Sequence, residues 1–198
     1  MRTRWYTYQM VQWAMAESQP RDRLLDAVVG HALDEGIVDL SLREIASAIG
    51  TSHRMLIYHF GSRAGLLVAV VREVERRERG MISWESLSAD DARCTWERFI
   101  DPSLRSQERL FFEIYVHALL GRPGTDGFLE EALEGWISPM VDSLTNAGVE
   151  RDEARAVARL GIAVTRGLLL DLLATGDSAG VTRAHEMFTS LLEQASTH

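Results

Sequence analysis

The 198-residue sequence predicts an all-α protein, and three observations support that prediction. Apolar residues recur at the three- and four-residue spacing of amphipathic helices along most of the chain. No segment maintains the apolar–polar alternation of a half-buried strand, and no tight-turn pair joins two such segments. Capping residues, glycines and prolines fall where the periodic segments begin and end.

The first two predicted helices lie within residues 20–50. One begins at Pro20, a favourable residue for the first helical turn, and ends before Gly36, which can adopt the left-handed conformation of a helix cap. The next is short, because Ser41 and Glu44 form an S-x-x-E capping box at its start and Gly50 stops it. Leu42, Ile45, Ala46 and Ile49 form its inward face.

Only Gly50, Thr51 and Ser52 separate this short helix from a third predicted helix over residues 53–60. Thr51 or Ser52 serves as its N-cap. A fourth helix opens at Gly61-Ser62-Arg63 and runs through an apolar stripe and a charged run to Gly80.

The rest of the chain predicts five more helices, near residues 89–101, 106–120, 127–147, 151–175 and 179–195. Charge divides the chain in two: residues 1–80 hold 11 Arg against 10 acidic residues, and residues 81–198 hold 10 Arg against 19. Such asymmetry suggests parts with different partners. We predict an N-terminal extension over 1–20, a first domain over 21–78 and a second over 79–198.

Composition and charge narrow the class of protein. Apolar residues make up 46% of the chain and charged residues 25%, as in soluble globular proteins. No apolar run reaches the ~18 residues of a membrane span, and polar residues near the start argue against a signal peptide. The single cysteine, Cys94, cannot form an internal disulfide, so we expect a cytoplasmic protein without membrane partners.

All 21 basic residues are arginine, and the absence of lysine excludes several enzyme classes. Schiff-base enzymes, pyridoxal-phosphate enzymes and P-loop proteins each need a lysine amine. No nucleophile-elbow sequence accompanies the scattered Ser, His and Asp residues. We therefore expect no enzyme, no catalytic residue, no metal and no cofactor.

The two short helices carry the clearest functional signal. Three linking residues force them to cross steeply, with the small Ala46 at the crossing and Gly50 at the turn. Apolar anchors hold the pair against the first helix, so the opposite face of residues 53–59 stays free. That face mixes hydrogen-bond donors with apolar groups able to meet base edges and thymine methyls. Arg43 and Arg63, near helix starts, are candidates for phosphate contacts. The alternative is a helical hairpin that binds no nucleic acid.

Residues 21–75 resemble the N-terminal domain of the TetR family of bacterial transcription regulators. The resemblance rests on Leu42-Arg43-Glu44-Ile45-Ala46, on Gly50-Thr51-Ser52, on Leu56-Ile57-Tyr58-His59-Phe60, and on Gly61-Ser62-Arg63 followed by Leu66-Leu67. It implies an all-helical homodimer with a three-helix DNA-binding domain and a larger C-terminal domain for ligand binding and dimerisation. It also implies a repressor that leaves its operator when a small molecule binds.

The resemblance also implies which residues contact DNA. His53, Arg54, Met55 and Ile57 are expected to face bases, with Arg43 as a further candidate. The expected backbone and turn contacts are Ser41, Thr51, Ser52, Tyr58, His59 and Arg63. This sequence departs from the family pattern at Ile57, where Tyr is common, and at Arg54, where Gly is common. Arg54 is able to pair bidentately with guanine, so the operator cannot be inferred from relatives.

Two C-terminal helices have broad apolar faces suited to a four-helix bundle between two chains. The predicted interface residues are Val164, Leu168, Val181, Ala184, Phe188, Leu191 and Ala195. The alternative is that both helices only cover the core of a single chain. A dimer would let two recognition helices, ~34 Å apart, read a palindrome.

A ligand pocket is expected among the C-terminal helices. The candidate wall residues are Trp96, Phe99, Phe112, Tyr115, Leu119, Trp136, Met140, Arg166 and Leu169. Arg166 either points inward to an anionic ligand or forms a surface or interface ion pair. Our interpretation is a ligand-released, homodimeric repressor that binds double-stranded DNA. The competing interpretations are an activator of the same fold, and a helical adaptor or ligand-binding protein that does not bind DNA.

Overall fold

The computed structural model describes residues 20–37, 39–84 and 89–195, and within these it contains nine α-helices, one 3₁₀ turn and no strand. The all-α prediction is therefore confirmed. The N-terminal extension predicted over 1–20 lies outside the described residues except for Pro20. The helices are α1 (Pro20–Asp34), α2 (Leu42–Ala48), α3 (His53–Phe60), α4 (Arg63–Gly80), α5 (Ala89–Phe99), α6 (Arg105–Leu119), α7 (Phe128–Asn146), α8 (Arg151–Thr175) and α9 (Ser178–Ala195).

The helix ends follow the sequence signals closely. The predicted limits of α3 and α8 match the structure, and those of α5 differ by two residues because a 3₁₀ turn, Pro102–Leu104, follows Asp101. The capping box at α2 is present: Ser41 Oγ accepts the Glu44 N–H, and the Glu44 carboxylate accepts the Ser41 N–H at 2.7 Å. This reciprocal pairing satisfies two backbone donors that a helix start leaves free.

Helices α2 and α3 form the predicted steep hairpin, and this hairpin packs on α1. Gly50 has φ of 68°, and the Thr51 N–H turns back to the Ala46 carbonyl at 2.8 Å. The buried residues on α1, α2 and α3 that hold the hairpin in place are Leu25, Val28, Val29, Ala32, Leu42, Ile45, Ala46 and Leu56. Leu56 is the only fully buried residue of α3, so most of that short helix remains uncovered.

Helix α4 joins the N-terminal hairpin to the remaining helices. Its buried residues 66–71 and Val74 contribute to one hydrophobic core that also includes Leu110, Phe111 and Ile114 of α6 and Phe128 of α7. The two parts of the chain therefore share a core along α4. The division at residue 78 stays a prediction, since it falls inside this shared helix.

The loop between α6 and α7 approaches the first turn of α4 unusually closely. A Cβ placed on Gly124 would come within 3.4 Å of the Gly65 backbone nitrogen, and Gly124 has φ of 87°. A Cβ on Gly65 would clash with the Phe60 carbonyl oxygen. Glycine at these two positions allows backbone-to-backbone packing beside the end of α3.

Helices α5, α8 and α9 complete the C-terminal part. Trp96 of α5 packs with Leu169 and Leu172 of α8 and with Val181 of α9 in a second core. A third core joins α7 and α8 through Ile137, Val141, Ala154 and Ala158. None of the described helices is by itself long and apolar enough to cross a membrane.

Candidate nucleic-acid interface and interior cavities

The free face of α3 is solvent-exposed, as the sequence predicts. Four side chains on this face are exposed: His53, Arg54, Met55 and Ile57. Exposure of the large apolar Met55 and Ile57 to water is unfavourable for the free energy of the isolated chain. Tyr58 is 79% exposed. A surface that mixes imidazole, guanidinium, phenol and apolar groups suits the major groove, where donors, acceptors and thymine methyls lie side by side.

Helix caps fix the orientation of this face. The Ser52 Oγ accepts the Met55 N–H at 3.2 Å at the start of α3, and the Gly61 N–H reaches the Ile57 carbonyl at 2.8 Å at its end. Thr51 is half-buried in the turn. Ser52 and Thr51 therefore position α3, and the exposed Ser52 also lies where the helix N-terminus favours a phosphate.

The candidate phosphate-contacting residues differ in their exposure and in the hydrogen bonds that they already make within the chain. Arg43 is exposed on α2, and Ser41 is exposed but occupied by its capping box. Arg63 is half-buried, and its Nε donates to the Leu40 carbonyl at 2.8 Å, so it also ties α4 to the loop before α2. His59 is half-buried with its ring 4.9 Å from the Tyr58 ring. Its Nε2 is buried without a hydrogen-bond partner.

Two adjoining cavities lie among α4 to α9. The first, the polar cavity, has a volume of about 50 Å³ and is lined by three glutamates, Arg166 and the aromatic residues Phe99, Phe111, Phe112 and Trp136. The second, the aromatic cavity, has a volume of about 170 Å³ and lies against α5, α7, α8 and α9. The two cavities share wall residues, which are Phe99, Trp136, Ile162 and Thr165.

Most residues predicted for the pocket line one of these cavities. Phe99, Phe112, Trp136, Arg166 and Leu169 line the polar cavity, and Trp96, Phe99, Trp136 and Met140 line the aromatic cavity. The prediction is wrong for Leu119, which is 62% exposed because it lies at the very end of α6, past the helices that close the cavities. Tyr115 lines neither cavity, but its ring lies beneath the Arg166 guanidinium.

The glutamates of the polar cavity are the functional candidates that sequence reasoning missed. Glu75 and Glu78 belong to α4, and Glu108 belongs to α6. The sequence offered a signal, since Glu75 and Glu78 share a helix face with Val71 and Val74, and Glu108 precedes Phe111 and Phe112 by three and four residues. This signal is easily overlooked, because Glu75 and Glu78 lie in the charged run around residues 72–79, and such runs normally face solvent.

Two of the three glutamates have cationic partners. Glu78 accepts a hydrogen bond from Arg98 at 2.5 Å. Glu75 lies 3.4 Å from Arg79 and also accepts the indole N–H of Trp136. Glu108 makes no hydrogen bond or ion pair with any residue that the structure describes.

Burial shapes the protonation of this cluster. Burial, followed by the nearby charges of Glu75 and Glu78, raises the pKa of Glu108 to about 8. Burial also raises the pKa of Glu75, against the opposing effect of its Trp136 hydrogen bond. Burial lowers the pKa of Arg166, while Glu75 acts in the opposite direction. Carboxylates deprived of water and crowded by like charges hold protons more tightly.

Arg166 points inward and forms no surface ion pair within the described residues, and its Nη1 is buried without a hydrogen-bond partner. Its Nη2 donates to the Ala132 carbonyl at 2.6 Å, and its guanidinium lies 5.0 Å from the ring centre of Phe111 and 5.4 Å from that of Tyr115. Whether it binds a ligand stays a prediction.

An exposed stripe runs along α8 at alternating spacings of three and four residues. It consists of Leu160, Ala163, Gly167, Leu170 and Ala174. On α9, Met187 and Leu191 are 60% and 62% exposed. This set, together with the half-exposed Ala184, is called the α8–α9 face below.

The α8–α9 face differs from the interface predicted from sequence. Leu191 and Ala184 agree with it, but Val181 is only 2% exposed and packs in its own chain against Trp96, so it offers no surface to a partner. Phe188 lines the aromatic cavity, and Leu168 packs partly against the second core. Val164 is half-buried, and the Ala195 side chain lies outside the described residues. The sequence pattern does not separate the two sides of α9, because its cavity-facing and outward-facing stripes are both apolar.

Comparison with protein families identifies the N-terminal part. Residues 24–70 match the family described as "Bacterial regulatory proteins, tetR family". This stretch contains α2, α3 and the surfaces assigned above to DNA. The resemblance to the TetR family is therefore confirmed for this domain. A comparison with curated proteins finds no match.

Solved structures match nearly the whole chain. A transcriptional regulator from Rhodococcus sp. Rha1 is 17% identical with a TM-score of 0.69, covering 89% of this chain and 97% of that one. A TetR transcriptional regulator from Legionella pneumophila is 20% identical with a TM-score of 0.59, covering 86% and 97%. The multidrug binding protein EbrR, complexed with imidazole, is 24% identical with a TM-score of 0.62, covering 88% and 96%. The chain thus shares its fold with solved structures of transcriptional regulators.

Proposed function

We propose that the chain is a homodimeric repressor that binds a palindromic operator and leaves it when a small molecule enters the interior cavities. The observation that carries the proposal is the exposure of His53, Arg54, Met55 and Ile57 on a capped helix whose only fully buried residue is Leu56. Apolar side chains that a stable helix exposes to water gain free energy when another surface buries them.

Dimerisation follows from the size of the recognition helix and from the α8–α9 face. An eight-residue helix contacts too few base pairs to specify one site, whereas two such helices one DNA turn apart read a palindrome. Leu160 and Leu170 of α8 and Met187 and Leu191 of α9 supply an exposed apolar surface. Two copies related by a two-fold axis would bury it in a four-helix bundle.

Helix α4 couples the ligand cavity to the DNA-binding helix, because it contacts both. Near its end, Glu75 and Glu78 line the polar cavity, while its first turn packs beside the end of α3. A ligand that displaces these glutamates moves α4 and changes the separation of the two recognition helices. The fold of EbrR, complexed with imidazole, supports a ligand-binding role for the C-terminal helices.

Selection of duplexes from a random DNA pool by the purified full-length protein tests the proposal. We expect a palindrome whose half-site centres lie about 34 Å apart, roughly one helical turn, or a multiple of that spacing. The double variant His53→Ala/Arg54→Ala should lose the enrichment, and Arg159→Ala, which removes an exposed α8 arginine, should keep it. Absence of any enriched sequence at moderate salt would favour a ligand-binding protein that does not bind DNA.

The sign of regulation requires a separate experiment. A reporter placed behind the selected operator should be repressed when the protein is expressed. Higher reporter output with the protein than without it would identify an activator instead.

A further inference from the structure

We propose that the polar cavity binds an organic cation, with the ligand's protonated amine against Glu108 and its apolar body extending into the aromatic cavity. This inference rests on the proposed ligand-responsive function and specifies the ligand class that the site accepts. Its basis is a carboxyl group without an ion-pair partner in a cavity wall that is rich in aromatic residues.

Glu108 is the one glutamate of the polar cavity without an arginine in direct contact among the described residues. Arg98 pairs with Glu78, and Arg79 lies beside Glu75. Glu108 is half-buried and has no equivalent partner among the described residues. Ionising such a carboxyl group without a partner is costly, and a ligand that supplies a cation lowers that cost.

Arg166 faces Glu108 from α8 with an Nη1 that is buried without a hydrogen-bond partner, but Glu75 and Glu78 act more strongly on Glu108 than Arg166 does. It donates to the Ala132 carbonyl and lies over the rings of Phe111 and Tyr115. From α4, the groups facing Glu108 are Glu75 and Glu78, and these are acidic. The potential at Glu108 therefore favours a positive ligand group over a negative one.

The remaining walls suit the rest of such a ligand. Phe99, Phe112 and Trp136 line the polar cavity, and aromatic rings attract cations. Phe99 and Trp136 also border the aromatic cavity, where Trp84 and Trp96 extend the ring-lined surface. A ligand with an ammonium head and an aryl tail is thus matched along its whole length.

Protonation of Glu108 is coupled to occupancy of the site. In the empty cavity its pKa of about 8 keeps the carboxyl group mostly protonated at neutral pH. Binding of an ammonium group favours the carboxylate, so the Glu108 proton passes to solvent as the ion pair forms. The site exchanges one proton for one organic cation, with no change in its net charge.

Three probes of the same length and different head-group charge test the inference: 4-phenylbutylammonium, 4-phenylbutanol and 4-phenylbutyrate. Binding is followed on the full-length protein without DNA, through the fluorescence of the tryptophans that line the cavities. At pH 8 we expect the ammonium probe to bind about tenfold more tightly than the alcohol, which corresponds to roughly 1.4 kcal/mol, and the carboxylate probe to bind most weakly.

Two variants separate the role of Glu108 from general charge effects. Glu108→Gln should reduce the preference for ammonium over alcohol to about twofold or less, mainly by weakening ammonium binding. Glu130→Gln removes an exposed carboxylate of α7 outside both cavities and should keep the full preference.

The pH dependence of the unmodified protein provides a second readout. Because Glu108 must ionise, ammonium affinity should rise about tenfold between pH 7 and pH 9, whereas alcohol affinity should stay constant. Equal affinities for the three probes, tighter binding of the carboxylate, or no ammonium binding below about 10 mM overturns the inference. Operator binding is measured separately, so these outcomes leave the proposed DNA-binding function intact.

Discussion

The indole nitrogen of Trp136 donates a hydrogen bond to the carboxylate of Glu75, and this contact ties α7 to α4 at the wall of the polar cavity. The Arg79 guanidinium lies over the same indole ring and near the same carboxylate. Trp136 therefore touches both the cavity and the helix that leads to α3. Any ligand that displaces this indole also changes the environment of Glu75 on α4.

Trp136→Phe should destabilise the fold more than Trp96→Phe. Both substitutions remove a buried indole of the same size, but Trp136 donates to a carboxylate whereas Trp96 donates to the hydroxyl of Thr182 at 3.2 Å. We expect a loss of about 2–3 kcal/mol for Trp136 and about 1 kcal/mol less for Trp96, because bonds to charged groups are stronger. Urea unfolding of the two variants measures the difference, and equal losses would assign no special role to the Glu75 contact.

Gly65→Ala should disrupt the junction between α3 and α4, whereas Gly30→Ala should not. A Cβ at residue 65 would clash with the Phe60 carbonyl oxygen, while a Cβ at residue 30 of α1 meets nothing within 4 Å. We expect a loss of about 2 kcal/mol or more at residue 65 and a gain of about 0.5–1 kcal/mol at residue 30. Thermal unfolding and operator binding check both, and a neutral Gly65→Ala would mean that the junction yields at little cost.

The sequence predicted local features well because caps, turns and helix periodicity depend on neighbouring residues. Ser41 with Glu44, and Gly50 at the turn, specify α2 and its hairpin almost alone. The cavity depended on contacts between distant helices, so the pairing of Glu75 with Trp136 could not be read from spacing. The predicted interface residue Val181 is wrong for a related reason: Val181 and Leu191 belong to two apolar stripes on α9, and only the packing against α5 and α8 distinguishes them.

Leu191→Glu should convert the proposed dimer into a monomer. The side chain is 62% exposed on the α8–α9 face, so the substitution leaves the fold of a single chain intact but buries a charge in a two-fold interface. We expect monomeric mass by light scattering at micromolar concentration and loss of operator binding. Leu119→Glu, which alters an equally exposed residue of α6, is the control and should remain dimeric. Monomers from both variants, or dimers from both, would contradict this interface.

Arg54→Ala should relax operator preference at one base pair in each half-site. Arg54 is exposed on α3, and a bidentate pair between its guanidinium and guanine discriminates against other bases by about 1–3 kcal/mol. Binding to the selected operator and to its single-base variants, at two salt concentrations, measures the effect. A uniform loss across sequences with a smaller salt slope would instead identify a phosphate contact.

Glu108→Gln should stabilise the protein increasingly as pH rises from 5 to 8. The pKa of Glu108 lies near 8 in the folded chain and near 4.5 when unfolded, so between these values the folded state holds a proton that the unfolded state has lost. The free energy of unfolding of the unmodified protein therefore falls across this range, and glutamine, which does not titrate, removes that fall. We expect the advantage of the variant to grow by an amount on the order of 1–4 kcal/mol between pH 5 and pH 8. Urea unfolding at both pH values measures it, with Glu130→Gln as the exposed control. A constant difference would mean that Glu108 ionises as readily in the fold as in water, and the unpaired carboxyl group would then already have a solvent partner.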